Sequence, residues 1–244
     1  MPDPEAIPAR FQDVRRLADT DSTNRYALDL ARAGAADGVV VVADHQSAGR
    51  GRLDRTWTAP PGASLLVSVL LRPELPPEQR HLVVMAAAVA MGDALARAAG
   101  VDATTKWPND LLVGTRKIAG ILAEATGDAV VVGIGVNLDW PEIPAELEGI
   151  ATACNLESGR TTSRDDLLVE FLARYDEALA DLDETRRRYR HGLGTLGRTV
   201  RVERADSTLV GRAVDVDDVG RLLVEVDGAV EVIAAGDVVH LRDA

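Results

Sequence analysis

The chain has 244 residues, a formal net charge of −12 and a single cysteine, Cys154. This length accommodates one large domain, or a medium domain with a small one. The acidic balance argues against general binding to nucleic acid or to an anionic membrane surface, although it still permits a local cationic pocket for a nucleotide. One cysteine excludes an internal disulfide and any zinc site built on paired cysteines, which suits a reducing cytosol.

Three further features of the sequence narrow the class of protein: its first residues, its longest apolar run and the spacing of its histidines. Residues 1–5 are acidic and proline-rich, unlike a signal peptide, and the longest apolar run, residues 82–90, is too short to span a bilayer. The four histidines are scattered without metal-ligand spacing. We therefore expect a cytoplasmic protein with no membrane partner and no protein-held metal.

The first motif along the chain is Ser22-Thr23-Asn24. Asp21, Ser22 or Thr23 is a suitable N-cap for a helix that ends at Gly34. The alternative is that these hydroxyl and amide groups line a pocket for a polar, neutral ligand. The sequence leaves both interpretations open.

A glycine-rich cationic stretch follows at residues 49–57, Gly-Arg-Gly-Arg-Leu-Asp-Arg-Thr-Trp, between strand candidates at residues 38–43 and 64–71. Glycine lets a backbone approach a ligand closely, and arginine offers planar, permanently charged forks that suit phosphate. A solvated hairpin is the alternative interpretation of this stretch. If it binds a ligand, we expect it to be mobile when empty and to order over the bound intermediate.

The remaining elements predict an α+β fold in two parts. A long helix runs to residue 99 and a hairpin spans residues 111–125, while the buried strand 129–137 carries glycines that indicate close approach of a ligand or backbone. An amphipathic helix follows Ser163, and the basic run 186–190 is typical of a solvated helix end. Five short β runs after residue 196 predict a small SH3-like β-barrel. We place a mixed-sheet catalytic domain at residues 1–194 and the C-terminal domain at residues 195–244.

Several nucleotide-binding and catalytic motifs are absent. The arginine stretch lacks the Gly-Lys-Ser/Thr of a Walker loop, residues 133–138 lack the third glycine of a dinucleotide fingerprint, and no nucleophile elbow occurs. The remaining cations fit the activation of a carboxylate by a nucleotide. That reaction requires cations that align two anions, and it requires no protein nucleophile.

The motifs occur in an order that resembles the biotin protein ligases, also called biotin–[acetyl-CoA-carboxylase] ligases. They are Ser22-Thr23-Asn24, residues 46–52 with Trp57, Lys-Trp-Pro-Asn-Asp at 106–110, residues 117–122 and Gly-Ile-Gly-Val-Asn at 133–137. The resemblance covers nearly the whole chain. It implies a core like that of class II aminoacyl-tRNA synthetases, and activation of biotin by ATP, with Mg²⁺, to biotinyl-5′-adenylate. Transfer to a lysine of a biotin carboxyl carrier protein domain of acyl-CoA carboxylases would follow.

The resemblance also implies roles for individual residues. Those at the biotin ureido ring would be Ser22, Thr23, Asn24 and Gln46. Those at the carboxylate and phosphates would be Arg50, Gly51, Arg52, Lys106 and Lys117, with Arg50, Arg52 and Lys106 catalytic. Those near ATP or in the same ligand-binding motifs would be Asn109, Gly120 and Asn137. Trp57 would cover the adenine or the apolar tail of biotin, or would only anchor the loop.

Relatives that also repress transcription carry an N-terminal winged helix, whereas 21 residues precede Ser22 here. We therefore expect a monofunctional enzyme without DNA binding, as a monomer or a weak homodimer. The rivals are a lipoate or octanoate ligase, whose pocket holds only an apolar chain, and a non-catalytic biotin sensor. The polar residues 22–24 and Gln46 favour biotin over the first rival, and the intact cations argue against the second.

Overall fold

The computed structural model describes residues 6–53, 55–204, 207–234 and 236–241. The acidic start at residues 1–5 and the last three residues of the predicted C-terminal domain lie outside this range. Within it, the first seven strands are β1 (Val14–Thr20), β2 (Val40–Gln46), β3 (Ser64–Leu71), β4 (Thr104–Lys106), β5 (Asp110–Val113), β6 (Arg116–Thr126) and β7 (Ala129–Asn137). The helices are α1 (Thr23–Arg32), α2 (Leu82–Ala94), α3 (Cys154–Ser158), α4 (Arg164–Ala180) and α5 (Leu182–His191).

These seven strands form one mixed sheet in the order β1-β2-β3-β7-β6-β5-β4. β1 runs parallel to β2, and the other neighbouring strands are antiparallel. β3 lies beside the central strand β7, and all eight of its residues are buried. A strand buried on both faces has a continuous apolar sequence, which is why residues 64–71 were recognisable from the sequence. The predicted α+β fold with a mixed sheet is confirmed.

Helices cover the two faces of this sheet. Val39 and Val41 pack with α1 in one cluster, whereas Val40 and Val42 join the main core on the opposite face. This division follows from the two-residue period of a strand. α2 packs against α4 and α5 on the main-core side. The outcome is a layered domain in which α1 carries Thr23 and Asn24 at its first turn, beside the end of β2 and the middle of β7.

One helical segment among the described residues, Pro77–Ala99, is long and apolar enough to cross a membrane by length and composition. It extends well beyond the run at residues 82–90 that the sequence analysis considered. However, 67% of its most apolar window is buried inside the protein, where α2 contacts α4 and α5. We interpret it as the core helix of the domain.

Two local predictions need correction. Ser22 occupies the N-cap position of α1, but its side chain makes no capping hydrogen bond. The basic run at residues 186–190 lies near a helix C-terminus, as predicted, but that helix is a separate one, α5, whose N-cap Asp181 accepts a hydrogen bond from the Glu184 N–H at 2.9 Å. The Asp181 cap separates α5 from α4, so the arginines continue toward the C-terminal strands.

The five predicted C-terminal strands are confirmed as one antiparallel sheet, which we call the C-terminal sheet, in the order β11-β10-β9-β8-β12. The strands are β8 (Thr199–Glu203), β9 (Thr208–Val216), β10 (Leu222–Val226), β11 (Ala229–Ile233) and β12 (Asp237–His240).

Trp107 joins this sheet to the rest of the protein. Its backbone N–H donates to Thr195 Oγ1 at 3.0 Å, and its indole N–H donates to the Gly220 carbonyl at 2.9 Å. Nε2 of His240 lies 3.1 Å from the same Thr195 hydroxyl. Burial, with smaller contributions from Lys106 and Arg198, lowers the pKa of His240 to about 4. The imidazole is therefore neutral at physiological pH, and the Lys-Trp-Pro-Asn-Asp motif is anchored by the C-terminal sheet.

Candidate active site

A polar corner forms where α1 begins and β2 ends. The backbone N–H and the hydroxyl of Thr23 both donate to Gln46 Oε1, at 2.8 and 2.9 Å. Since the carbonyl oxygen of Gln46 is occupied in this way, its amide N–H groups are left for a ligand. Ser22 lies next to this pair and is 3% exposed, and its hydroxyl is not used for capping. The corner thus offers donor and acceptor groups to a polar ring.

Asn24 is held more tightly than its neighbours. Its amide nitrogen donates to the Leu122 carbonyl at 3.1 Å and to Glu124 at 3.0 Å, and its oxygen accepts from Ser68 Oγ at 2.6 Å. A Cβ at Gly133 would lie 2.0 Å from that oxygen. Buried amides of this kind are costly to leave unpaired. Asn24 therefore fixes α1 to the sheet while it lines the floor of the site.

The cationic stretch folds back on itself as a compact hairpin, which we call the arginine loop (residues 49–57, with Asp54 outside the described residues). The Gly51 N–H donates to the Arg55 carbonyl at 2.7 Å, and the Trp57 N–H donates to the Gly49 carbonyl at 3.0 Å. A Cβ at Gly49 would lie 2.3 Å from the Trp57 carbonyl oxygen. Glycine at this position is what allows the two arms of the hairpin to meet.

Trp57 ends the loop and packs flat on the sheet. Gly120 of β6 and Gly135 of β7 are paired across the two strands, and a Cβ on them would lie 3.1 and 2.5 Å from the indole. The two glycines therefore form a floor that accepts the ring. Lys117 Nζ lies 5.5 Å from the centre of the ring, within cation–π range. The indole N–H is buried without a partner, so it is available to an acceptor.

The cations of the site face carboxylates at short range. Arg50 pairs with Glu124 at 2.9 Å, Lys117 with Asp110 at 2.5 Å, and Arg55 with Asp237. These acids keep the cationic cluster close to neutral when no anionic ligand is present.

Arg52 differs from the other cations. No described carboxylate lies within ion-pair distance of it, and its contact is a 3.4 Å hydrogen bond to Asn109 Oδ1. Its partial burial lowers the pKa of the guanidinium, whereas nearby Asp237 and Asp110 favour the charged form. Even a lowered arginine pKa leaves the group charged near neutral pH. Arg52 is thus a half-buried cation that an incoming anion can neutralise.

These elements enclose one cavity of about 150 Å³. The sequence-predicted residues on its wall are Ser22, Thr23, Asn24, Gln46, Arg50, Gly51, Arg52, Trp57, Asn109, Lys117 and Gly120. The polar corner and the cationic cluster, far apart in sequence, thus meet in one cavity. A ligand with a polar neutral end and an anionic end fits this arrangement.

Two predicted residues do not line this cavity. Lys106 lies opposite Asp110 in the β4–β5 pair, and its charge contributes to the lowered pKa of His240. Asn137 is buried and donates to the Thr152 carbonyl at 2.9 Å. The cavity lysine is therefore Lys117, although the sequence favoured Lys106 for catalysis. Both lysines belong to recognisable motifs, and only the tertiary structure shows that Lys117 is the one on the cavity wall.

The structure also adds residues that the sequence analysis did not select. Asp110, Ile121, Leu122 and Ile134 belong to the motifs that carry the resemblance but have no predicted role, and Leu66 lies in the predicted strand 64–71; all five line the cavity. The four apolar residues lie on β3, β6 and β7, and only the pairing of these strands brings them to one cavity. Asp237 comes from β12 of the C-terminal sheet, and no local pattern marks it.

Other reactive groups are poor candidates for chemistry. Cys154 is fully buried, and burial raises the pKa of its thiol to about 12. Among the described residues, no group of three or more His, Cys, Asp or Glu side chains is placed to hold a metal ion. The polar lining of the cavity consists of positioned cations, carboxylates and hydrogen-bonding groups, and Cys154 is not part of it.

This fold and site define the class of protein. Residues 17–139 match the Biotin/lipoate A/B protein ligase family, and residues 195–241 match the Biotin protein ligase C terminal domain. The chain belongs to the biotin protein ligase family.

Individual relatives support the same family assignment. The chain is 40% identical to the Biotin–[acetyl-CoA-carboxylase] ligase of Mycobacterium tuberculosis, covering 93% of this chain and 88% of that protein. It is 32% identical to the Bifunctional ligase/repressor BirA of Bacillus spizizenii, over 93% of this chain and 72% of the relative. The structure of a biotin protein ligase from Aquifex aeolicus in complex with biotin and ATP superposes with a TM-score of 0.83 at 27% identity, covering 96% of this chain and all of that one.

Proposed function

We propose that this protein is a biotin–[biotin carboxyl-carrier protein] ligase, which activates biotin with ATP and transfers it to a lysine of a carrier-protein domain of acyl-CoA carboxylases. The observation that carries the proposal is the single cavity that joins the polar corner to the arginine loop and Lys117. Biotin has a neutral ureido ring at one end and a carboxylate at the other. The two halves of the cavity match these two ends.

The first half of the reaction joins two anions. A biotin carboxylate oxygen attacks the α-phosphorus of MgATP, the α–β phosphoanhydride bond breaks, and pyrophosphate leaves. Arg50, Arg52 and Lys117 would align the carboxylate and the phosphates and offset the charge that builds up between them. Asn109 holds Arg52 in place. Mg²⁺ would enter as part of MgATP.

The second half transfers the acyl group. The ε-amine of the carrier lysine attacks the carbonyl carbon of biotinyl-5′-adenylate, an amide forms, and AMP leaves with the bonding electrons. The adenylate must be kept from water between the two steps. The arginine loop and Trp57 form the wall that would cover it, which supports the predicted lid. Trp57 would then lie at the anhydride region and would also anchor the loop.

At the polar corner, the ureido ring needs acceptors for two N–H groups and donors for one carbonyl. Ser22, Thr23 and Gln46 supply hydroxyl and amide groups on the cavity wall. A buried polar site rejects an analogue that lacks the matching groups, which favours biotin over lipoate. The match of residues 195–241 to the biotin-specific C-terminal domain favours the same choice. The intact cationic cluster supports an enzyme rather than a biotin sensor.

The test is ATP–pyrophosphate exchange followed by transfer of labelled biotin to a purified carrier domain. Exchange should depend on biotin and should not respond to lipoate. Exchange that proceeds equally without biotin, or that follows lipoate instead, would contradict the assignment.

We also propose a cytoplasmic monomer or weak homodimer without DNA binding. The net charge of −12 supports the absence of DNA binding. Light scattering across a concentration series and a DNA-shift assay at low salt test these two points.

A further inference from the structure

The arginine loop touches the C-terminal sheet at one charged contact. Arg55 pairs with Asp237, the first residue of β12. Among the described residues, Asp237 is the only residue of the C-terminal sheet on the wall of the cavity. Its side chain is 22% exposed, whereas that of Arg55 is 65% exposed. A partly buried carboxylate therefore holds a loop arginine that would otherwise be free in solvent.

Asp237 also acts on the second loop arginine. Its charge favours the charged form of the half-buried Arg52, which has no described carboxylate within ion-pair distance. Arg52 and Arg55 are joined directly, because the Arg55 N–H donates to the Arg52 carbonyl at 3.2 Å. Asp237 thus pairs directly with Arg55 and, together with Asp110, favours the charged form of Arg52.

The other ties of the loop involve groups that the reaction uses. Arg50 pairs with Glu124, and Arg52 contacts Asn109, and both arginines are expected to turn to phosphate when MgATP binds. The Arg55–Asp237 pair is the tie that need not break on binding. It can hold the loop in place in the empty protein and over the adenylate.

From this geometry we propose that Asp237 is a positioning residue: its carboxylate holds the arginine loop over the cavity through Arg55, so that the C-terminal sheet controls retention of the adenylate. The predicted effect on adenylate retention rests on the function proposed above. The Arg55–Asp237 contact does not depend on that function. An exposed ion pair contributes little to global stability. It can still change the fraction of time that a short loop is open by several-fold.

The first test measures loop opening in the ligand-free protein. Thermolysin cleaves before bulky apolar residues, and Leu53 at the loop tip is 64% exposed. We expect Asp237→Asn to speed cleavage at the loop by about two- to fivefold. The matched control is Glu203→Gln, because Glu203 lies opposite Asp237 on β8 but pairs with Arg201 at 3.0 Å within the same sheet. Thermolysin should cleave the Glu203→Gln protein at the same rate as the parent.

A charge swap separates pairing from a general effect on folding. Arg55→Asp combined with Asp237→Arg should return cleavage to within about twofold of the parent. Parental cleavage in Asp237→Asn, equal acceleration in the Glu203→Gln control, or no recovery in the swap would each overturn the proposal.

The second test follows the intermediate. Preformed biotinyl-adenylate should leave Asp237→Asn about two- to fivefold faster than the parent, measured by chase with unlabelled biotin and ATP, and the swap should restore retention. An unchanged release rate would overturn the role in retention. The proteolysis experiment needs no ligand, so it tests the loop contact independently of the proposed function. Absence of biotin-dependent exchange in the parent would overturn the proposed function alone.

Discussion

Gly135→Ala should dislodge Trp57 from the sheet. A Cβ at this position would lie 2.5 Å from Trp57 Cε2 and 2.8 Å from Cζ2 and Nε1. Because ordinary contacts begin near 3.4 Å, the indole must move by about 1 Å. The strand cannot yield easily, since Gly135 is paired with Leu66 on β3 and with Gly120 on β6. Overpacking of this kind costs about 1–3 kcal/mol.

We expect this strain to destabilise the closed conformation of the arginine loop, because the loop can move more easily than the paired strand. A loss of 1–3 kcal/mol corresponds to roughly a five- to 150-fold weaker affinity for the ligands that the loop covers. Calorimetry with biotin and a non-hydrolysable ATP analogue measures this. Tryptophan emission gives a second readout in the empty protein. Trp107 and Trp140 are 1% and 2% exposed, so a red shift reports on Trp57.

The control is Gly92→Ala on α2, where the added Cβ meets only a Leu111 methyl at 3.9 Å. Alanine in place of an interior helical glycine should stabilise the protein slightly and leave emission and ligand binding unchanged. The prediction is wrong if Gly135→Ala has the emission maximum of the parent and binds both ligands with an affinity within twofold of the parent. The packing of Trp57 would then not depend on glycine at position 135.

Three further predictions follow from the site and its surroundings. Lys117→Gln should lower biotin-dependent pyrophosphate exchange by on the order of 100-fold, and Lys106→Gln by less than tenfold; the reverse order would restore Lys106 as the catalytic lysine. The free energy of unfolding of the parent should fall as pH falls from about 6.5 toward 4. In this range His240 is protonated in the unfolded chain but stays neutral in the folded protein, where its pKa is about 4. Urea titrations should show a shallower loss for His240→Gln, and equal slopes would exclude His240 as the source. Iodoacetamide at pH 8 should modify Cys154 only after denaturation, because burial raises its pKa to about 12; rapid labelling of the native protein would contradict this.

The sequence alone was enough for the class of fold and the family. Strands such as β3 and β7 are continuous apolar runs, and a run buried on both faces is visible without any structure. The arginine loop and the Lys-Trp-Pro-Asn-Asp motif are contiguous, so their chemistry could be recognised as well. Eleven of the thirteen predicted site residues lie on the wall of one cavity.

The tertiary structure decided which polar groups share that cavity. The sequence favoured Lys106 as the catalytic lysine, but of these two lysines only Lys117 lies on the cavity wall, beside the ring of Trp57. Asp237 is 182 residues from Arg55, and nothing in its neighbours on the chain marks it as part of the site. Local sequence specifies which segments form helices, strands and turns, because those depend on near neighbours. The meeting of charges across two sheets depends on how the sheets pack, so the hold of the C-terminal sheet on the arginine loop became visible only in the folded protein.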